Sequence, residues 1–231
     1  MTTKLPTSLR SALYLSACAA LAFIPAQAAL VFTIEAPGVQ QSSVPGVTTE
    51  NFDDGNLTSA IGTYTGGSVF GADVYGGAGG TGSYLFATSG NPSTLTFSTP
   101  QSYFGVWWSA GDAGNSLKVY NQNDVLIGDY VVGSIIPLLS AAYYGNPNGG
   151  GNAGEPYAYL NFTANGTDFI SKVVFGGSNF ESDNHSVTEE RITPPGKPPG
   201  ASVPDSGSTL AMAGFVFLGL GGIRRLLRKS R

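Results

Sequence analysis

Tyr157-Ala158-Tyr159-Leu160-Asn161-Phe162 alternates along its whole length. In an extended chain successive side chains point to opposite faces, so Ala158, Leu160 and Phe162 share one face and Tyr157, Tyr159 and Asn161 the other. That spacing predicts a half-buried β-strand. Working outward, residues 30–35, 83–88, 94–98, 103–109, 117–120, 125–132 and 170–175 form further short apolar or aromatic runs, each bounded by Gly, Asn, Pro or Ser. Short strands at this density, with no convincing helical periodicity between them, predict an all-β domain of the β-sandwich or jelly-roll-like class.

The punctuation agrees with that reading. Asn121-Gln122-Asn123-Asp124 separates two strand runs and predicts a hairpin connection, because Asn and Asp tolerate left-handed turn geometry. Residues 145–156 are longer and nearly free of apolar groups, which predicts a mobile surface loop. Gly77-Ala78-Gly79-Gly80-Thr81-Gly82 satisfies G-x-G-x-x-G literally. A dinucleotide loop must open a helix, however, and Ser83-Tyr84-Leu85-Phe86 reads as a strand, so a flexible turn is predicted instead.

A chain of 231 residues with 33 glycines and 11% charged residues suits one β-rich domain with appendages. Lys4 and Arg10, the apolar stretch 11–23, and Pro25 before Ala26-Gln27-Ala28 give the three regions of a secretory signal over residues 1–28, cut between Ala28 and Ala29. Leu15-Ser16-Ala17-Cys18 resembles a lipidation site, but the apolar stretch continues past Cys18, which favours ordinary cleavage. Cleavage after Ala28 removes the lone cysteine, so the exported domain, residues 29–192, is expected to fold without a disulfide. From residue 29 to 200 four basic residues face fourteen acidic ones. Such a surface repels nucleic acid and anionic lipid and attracts cations.

Prolines 194, 195, 198 and 199 with two glycines remove ladder donors and predict a linker over residues 193–202. The segment 203–231 then carries Val203, Pro204, Asp205, Ser206 and Gly207, an uncharged apolar helix over 209–223, and the basic cluster Arg224, Arg225, Arg228, Lys229 and Arg231. A short transmembrane helix with that ending stalls in the inner membrane, basic end inside, and holds the domain outside as a transient tether. A plain anchor is the competing reading, and the shortness of the helix disfavours it.

These residues resemble the VPDSG variant of the PEP-CTERM sorting domain. The resemblance implies that an exosortase cuts near Val203 to Gly207 and passes the protein to the cell surface or extracellular matrix, so that the motif is a substrate and the exosortase the processing partner. A second resemblance rests on Gly80-Thr81-Gly82-Ser83-Tyr84, the run Tyr103-Phe104-Gly105-Val106-Trp107-Trp108-Ser109-Ala110-Gly111-Asp112, Tyr143-Tyr144-Gly145-Asn146-Pro147-Asn148, Glu155 to Phe162, and Phe180-Glu181-Ser182-Asp183-Asn184-His185. Together these are similar to a family of exosortase-dependent surface proteins, which implies location and fold class and supplies no chemistry.

Few residues offer chemistry. His185 is the single histidine and lies in a polar stretch, which predicts an exposed loop position; without cysteine, zinc clusters and thiol nucleophiles are excluded. Asp53 and Asp54 with Glu181 and Asp183 meet if the first and last strands pair, offering hard oxygen ligands to calcium. Asp112, Glu155 and Asp168 are available as acid and base for a glycosidase. Trp107 and Trp108 are adjacent, so in a strand one fills the core while the other is free to stack on a sugar or a protein, the competing reading being burial of both. Tyr143, Tyr144, Tyr157 and Tyr159 surround the 145–156 loop, and Asn146 and Asn148 add hydrogen-bonding groups for a shallow, lectin-like carbohydrate site. The expectation is a noncatalytic surface or matrix protein that contacts extracellular polysaccharide or other surface proteins. The alternative is a secreted carbohydrate-active hydrolase on the same scaffold.

Overall fold

The computed structural model describes residues 30–149 and 151–198. The signal segment with Cys18, the Ala28–Ala29 cleavage site, the apolar helix and the basic cluster lie outside the described residues.

Two antiparallel sheets stack face to face, as the alternating runs predict. The first sheet has the order β1 (Leu30–Ile34), β11 (Ala158–Ala164), β8 (Tyr103–Ser109), β13 (Phe180–Thr188), β6 (Ser83–Ala87), β5 (Ser68–Gly71), with β2 (Thr48–Glu50) paired to the far end of β13. The second runs β10 (Leu126–Val131), β9 (Ser116–Asn121), β12 (Ile170–Gly176), β7 (Ser93–Gln101), β4 (Gly62–Thr65), β3 (Thr58–Ser59). All eight strand runs read from the sequence are strands. The hairpin between β9 and β10 turns through Asp124 at φ 59°, the left-handed geometry its residue type permits. The Gly77 to Gly82 stretch makes a short 3-10 turn before β6, as a turn and not a nucleotide loop should.

The main core lies between the sheets. Phe104, Val106 and Trp108 of β8 and Leu160 and Phe162 of β11 meet Leu95 and Phe97 of β7 and Val173 and Phe175 of β12. Phe104 bridges the two layers, its ring centroid 5.8 Å from Phe97 and 6.1 Å from Phe175.

The prediction of half-burial for the Tyr157 strand does not hold, because β8 and β11 are buried along their whole length on both faces. The outer face of the first sheet is roofed by loop segments of residues 35–47, 72–82, 141–149 and 151–157. The Asn146 side chain donates to Val74 O (2.9 Å), Tyr143 Oη to Glu35 O (2.7 Å), and the Asn184 side chain on β13 to Gln40 O (2.8 Å). Beneath this roof a second apolar cluster forms from Trp107, Ala110, Tyr157 and Tyr159, with Val39 and Ala78 packed against it. Beside it lies a buried polar layer. Tyr103 Oη donates to Asn161 Oδ1 (2.6 Å), and Asn161 Nδ2 donates to Glu35 Oε1 (3.3 Å). Gly105 makes room for it, since a Cβ there would stand 2.2 Å from Tyr103 Oη and 2.7 Å from the Tyr159 ring.

The proline-rich stretch expected as a free linker begins as a strap. Ile34 and Lys197 exchange both backbone hydrogen bonds, at 2.8 and 2.9 Å, and the Thr33 hydroxyl donates to Pro195 O. Proline excludes residues 194, 195 and 198 from donating, yet the intervening Lys197 N–H is free to pair with the open edge of β1.

Candidate functional site

The roof carries a cleft of about 400 Å³ lined by Tyr143, Tyr144, Asn146 and Tyr157, with Pro37 and Ala153 completing its walls. Four of the residues read as carbohydrate contacts therefore meet at one place. A 3-10 turn, Ala141–Tyr143, sets the two adjacent tyrosines, and Tyr144 bridges to Pro156 across the loop mouth. Asn146 is buried and committed to Val74 O, whereas the exposed Asn148 exchanges hydrogen bonds with the Gln40 side chain, at 2.7 and 3.0 Å. Gln40, Gln41 and Asn184 line a neighbouring depression of about 460 Å³ with Val39 and Gly79. Gln40 gave no signal in sequence, because a lone glutamine in a loop has no spacing to mark it.

Trp107 and Trp108 are 1% and 0% exposed. Of the two readings, burial of both holds and a free tryptophan stacking on a ligand does not: β8 is central in its sheet and roofed, so Trp108 fills the main core and Trp107 the second, 5.9 Å from the Tyr157 ring. His185 is also corrected. It is fully buried on β13, with Nδ1 2.8 Å from Tyr64 Oη and Nε2 3.0 Å from Ser182 Oγ, inside a cage of Phe52, Phe104 and Phe175. Burial lowers its pKa to about 3, so the ring is neutral. Ser182 is equally buried, and the pair is a core hydrogen bond with no access for substrate.

The four carboxylates proposed for calcium do not gather. Asp54 is exposed and accepts from Asn56 N (2.9 Å), Asp53 accepts from Ser83 N (2.9 Å), and Asp183 accepts from Ala78 N (2.7 Å). The first and last strands do not pair: β1 lies beside β11, and it is β2 that pairs with β13, at His185 to Val187, beyond Glu181 and Asp183. Among the described residues no three His, Cys, Asp or Glu side chains are placed to hold a metal ion. Burial, followed by Asp53 and Glu50 nearby, raises Asp183 to about 7 against the lowering effect of its two backbone hydrogen bonds.

Glu181 belongs to a different group. It lies opposite Ser109 of β8 and Phe86 of β6 and points from the outer face toward the roof. Burial first, then the charges of Asp73, Glu155 and Asp112, raises its pKa to about 8. Of the acids considered for a glycosidase, Asp112 and Glu155 thus approach one another, while Asp168 accepts from the Asn121 side chain on the second sheet.

The fold defines an all-β sandwich with a roofed first sheet and no helix, among the described residues, long and apolar enough to cross a membrane. Residues 202–227 match the VPDSG-CTERM motif, so the chain carries a PEP-CTERM-like exosortase sorting segment, the mark of an exosortase-sorted surface protein. No curated protein sequence matches the chain. Among solved structures it resembles the catalytic unit of a thermostable GH87 alpha-1,3-glucanase from Streptomyces thermodiastaticus (16% identity, TM-score 0.37, covering 66% of this chain and 27% of that one). It also resembles a GH87 alpha-1,3-glucanase catalytic domain in complex with tetrasaccharides (12% identity, TM-score 0.29, 78% and 30% covered). The chain spans less than a third of either enzyme's length, and at these scores the likeness assigns neither fold nor activity.

Proposed function

We propose that this exosortase-sorted surface protein is noncatalytic and uses its sandwich to hold extracellular polysaccharide in the cleft of Tyr143, Tyr144, Asn146 and Tyr157. The observation that carries the reading is the convergence of these side chains on one shallow cleft. The exposed Tyr144 and half-buried Tyr143 supply apolar area for a sugar ring, with the buried Tyr157 backing them, and the amides of Asn148 and Gln40 nearby supply neutral hydrogen-bonding groups. Tyr144, 37% exposed, is the residue a ligand would cover. Affinity electrophoresis of the protein through gels containing the producing cell's own polysaccharide tests this. Retardation that weakens at least tenfold in Tyr144→Ala supports the reading, and unhindered migration of the unaltered protein rejects it.

A carbohydrate-active hydrolase is the second reading, and one observation favours it: Asp112 and Glu155 lie close enough to the buried Glu181 to raise its pKa. Release of reducing ends, abolished in Glu181→Gln, would support that alternative; its absence leaves binding alone.

A further inference from the structure

The tyrosine cleft does not stand alone on the roof. Gly38, which lines it, also lines the neighbouring depression of Val39, Gln40, Gln41, Gly79 and Asn184, so the two cavities share an edge. Gly38 sits at φ 81°, and a Cβ built on it would meet nothing within 4 Å, so the saddle between the cavities is open. At about 400 and 460 Å³, each cavity falls within the roughly 300–1,000 Å³ of small-molecule sites.

The depression is braced and still offers polar groups to a ligand. Gln40 Oε1 accepts from Gly79 N (2.7 Å) and Asn148 Nδ2 (3.0 Å), and Gln40 Nε2 donates to Asn148 Oδ1 (2.7 Å). These bonds tie three roof segments together at one side chain. The Asn184 side chain, half-buried on β13, gives its Nδ2 to Gln40 O (2.8 Å), which leaves its Oδ1 to accept from a ligand. The exposed Gln41 amide offers both donors and an acceptor.

Charge narrows what can fill these cavities. Over residues 29–200, four basic residues face fourteen acidic ones, yet every described residue lining either cavity is uncharged. The Asp183 carboxyl, next to Asn184, is 2% exposed and accepts from Ala78 N (2.7 Å) and Asn184 N (2.6 Å). A polyanion would meet the repulsion of the whole domain with no cation in the site to offset it, and a polycation would find no carboxylate there to pair with. Sugar hydroxyls pair with amides without either difficulty.

We propose that the two cavities are adjoining subsites for a single neutral polysaccharide chain. Tyr143 and Tyr144 take one sugar, the chain crosses the saddle at Gly38, and Gln41 and Asn184 hydrogen-bond the sugars beyond it. This rests on the polysaccharide reading, names its ligand as uncharged and adds the second subsite.

Affinity electrophoresis tests it with the producing cell's own polysaccharide, separated into neutral and acidic fractions, the neutral one also partly hydrolysed and sized. Gels containing the neutral fraction should retard the protein at least tenfold more strongly than gels containing the acidic one. As a soluble competitor the neutral hexasaccharide should be at least tenfold more effective than the disaccharide. Gln41→Ala, on an exposed side chain, should remove most of that gain with length, leave the disaccharide's effect unchanged and keep the melting profile. Tyr144→Ala should weaken both competitors. Equal or stronger retention by the acidic fraction overturns the inference, as does competition that is absent or independent of length. A Gln41→Ala variant that loses nothing, or loses equally for both lengths, overturns it too. Each of these results leaves the tyrosine cleft standing as a polysaccharide site. No retention by either fraction overturns both readings.

Discussion

At the scale of single residues the ionisable core groups oppose one another in pH. His185 is held neutral, with a folded pKa of about 3 against the usual 6.5. Its contribution is complete above the unfolded value and is lost as pH falls toward 3. Glu181, about 8 against 4.5, and Asp183, about 7 against 3.8, run the other way. Both are protonated in the folded chain, so their contribution is complete below the unfolded values and is lost as pH rises through 7 and 8. Near pH 5.5 the folded state holds the two carboxyl protons while the unfolded state holds only the imidazolium proton. Stability therefore falls with rising pH, and a thermal melt at pH 8.5 should lie below one at pH 5.5. Glu181→Gln removes the larger liability. One pKa unit corresponds to about 1.4 kcal/mol, and about 1 kcal/mol moves the melting point of a domain this size by roughly 2–4 °C. Calorimetry should accordingly find that variant many degrees more stable than the unaltered protein at pH 8.5, only a few degrees more stable at pH 5.5, and nearly unchanged below the unfolded value of 4.5. A gap of the same size at both pH values would mean that Glu181 is not protonated by its surroundings.

At the scale of elements, β1 and β13 show what spacing conveys and what it leaves out. The run 30–35 announced β1, but nothing announced its capping by the strap. Gly196 makes that contact possible at φ 67°, where a Cβ would stand 2.5 Å from Ile34 O. Gly196→Ala should release the strap, because the left-handed conformation costs a non-glycine residue roughly 1–2 kcal/mol and the clash adds to it. Amide exchange at Ile34 should quicken about tenfold while the centre of β8 is unaffected. β13 escaped notice altogether. Its Glu-Ser-Asp-Asn-His-Ser run looks like a solvated loop because strand patterns are recognised by apolar side chains facing a core. Here the outward residues face a polar layer under a roof, and the bulge at Asn184, φ 48°, breaks the alternation so that His185 turns inward. β2 to β5 were missed for a simpler reason: strands of two to four residues offer too little periodicity to read.

For the whole molecule, the third layer is the decisive feature. It makes β8 and β11 central in depth as well as in the sheet, and it converts loop residues into cleft walls. Trp107→Ala should therefore destabilise the chain by about 3–5 kcal/mol, the range for a buried tryptophan, as measured by urea unfolding. A surface aromatic would cost far less. The same change should weaken saccharide retention, since Trp107 supports Tyr157 from below. On the sorting side, mass spectrometry of the protein recovered from its native envelope should find a C-terminus upstream of the apolar helix, without Arg231. An intact Arg231 would mean that the segment matching at 202–227 is not processed.

The sequence by itself determined the sandwich class, eight of its strands, the hairpin at Asn123-Asp124 and the sorting segment. Each of these is written in local order: alternation with period two, turn residues at turns, and a motif, an apolar run and arginines in succession. Tertiary structure alone decided that both tryptophans are buried, that the histidine is a core group, and that Glu181 keeps company with Asp73, Asp112 and Glu155 and not with Asp53 and Asp54. Those outcomes depend on which loop lies over which sheet face. Segments far apart in the chain meet there through burial and backbone hydrogen bonds, and no spacing within either segment encodes the meeting.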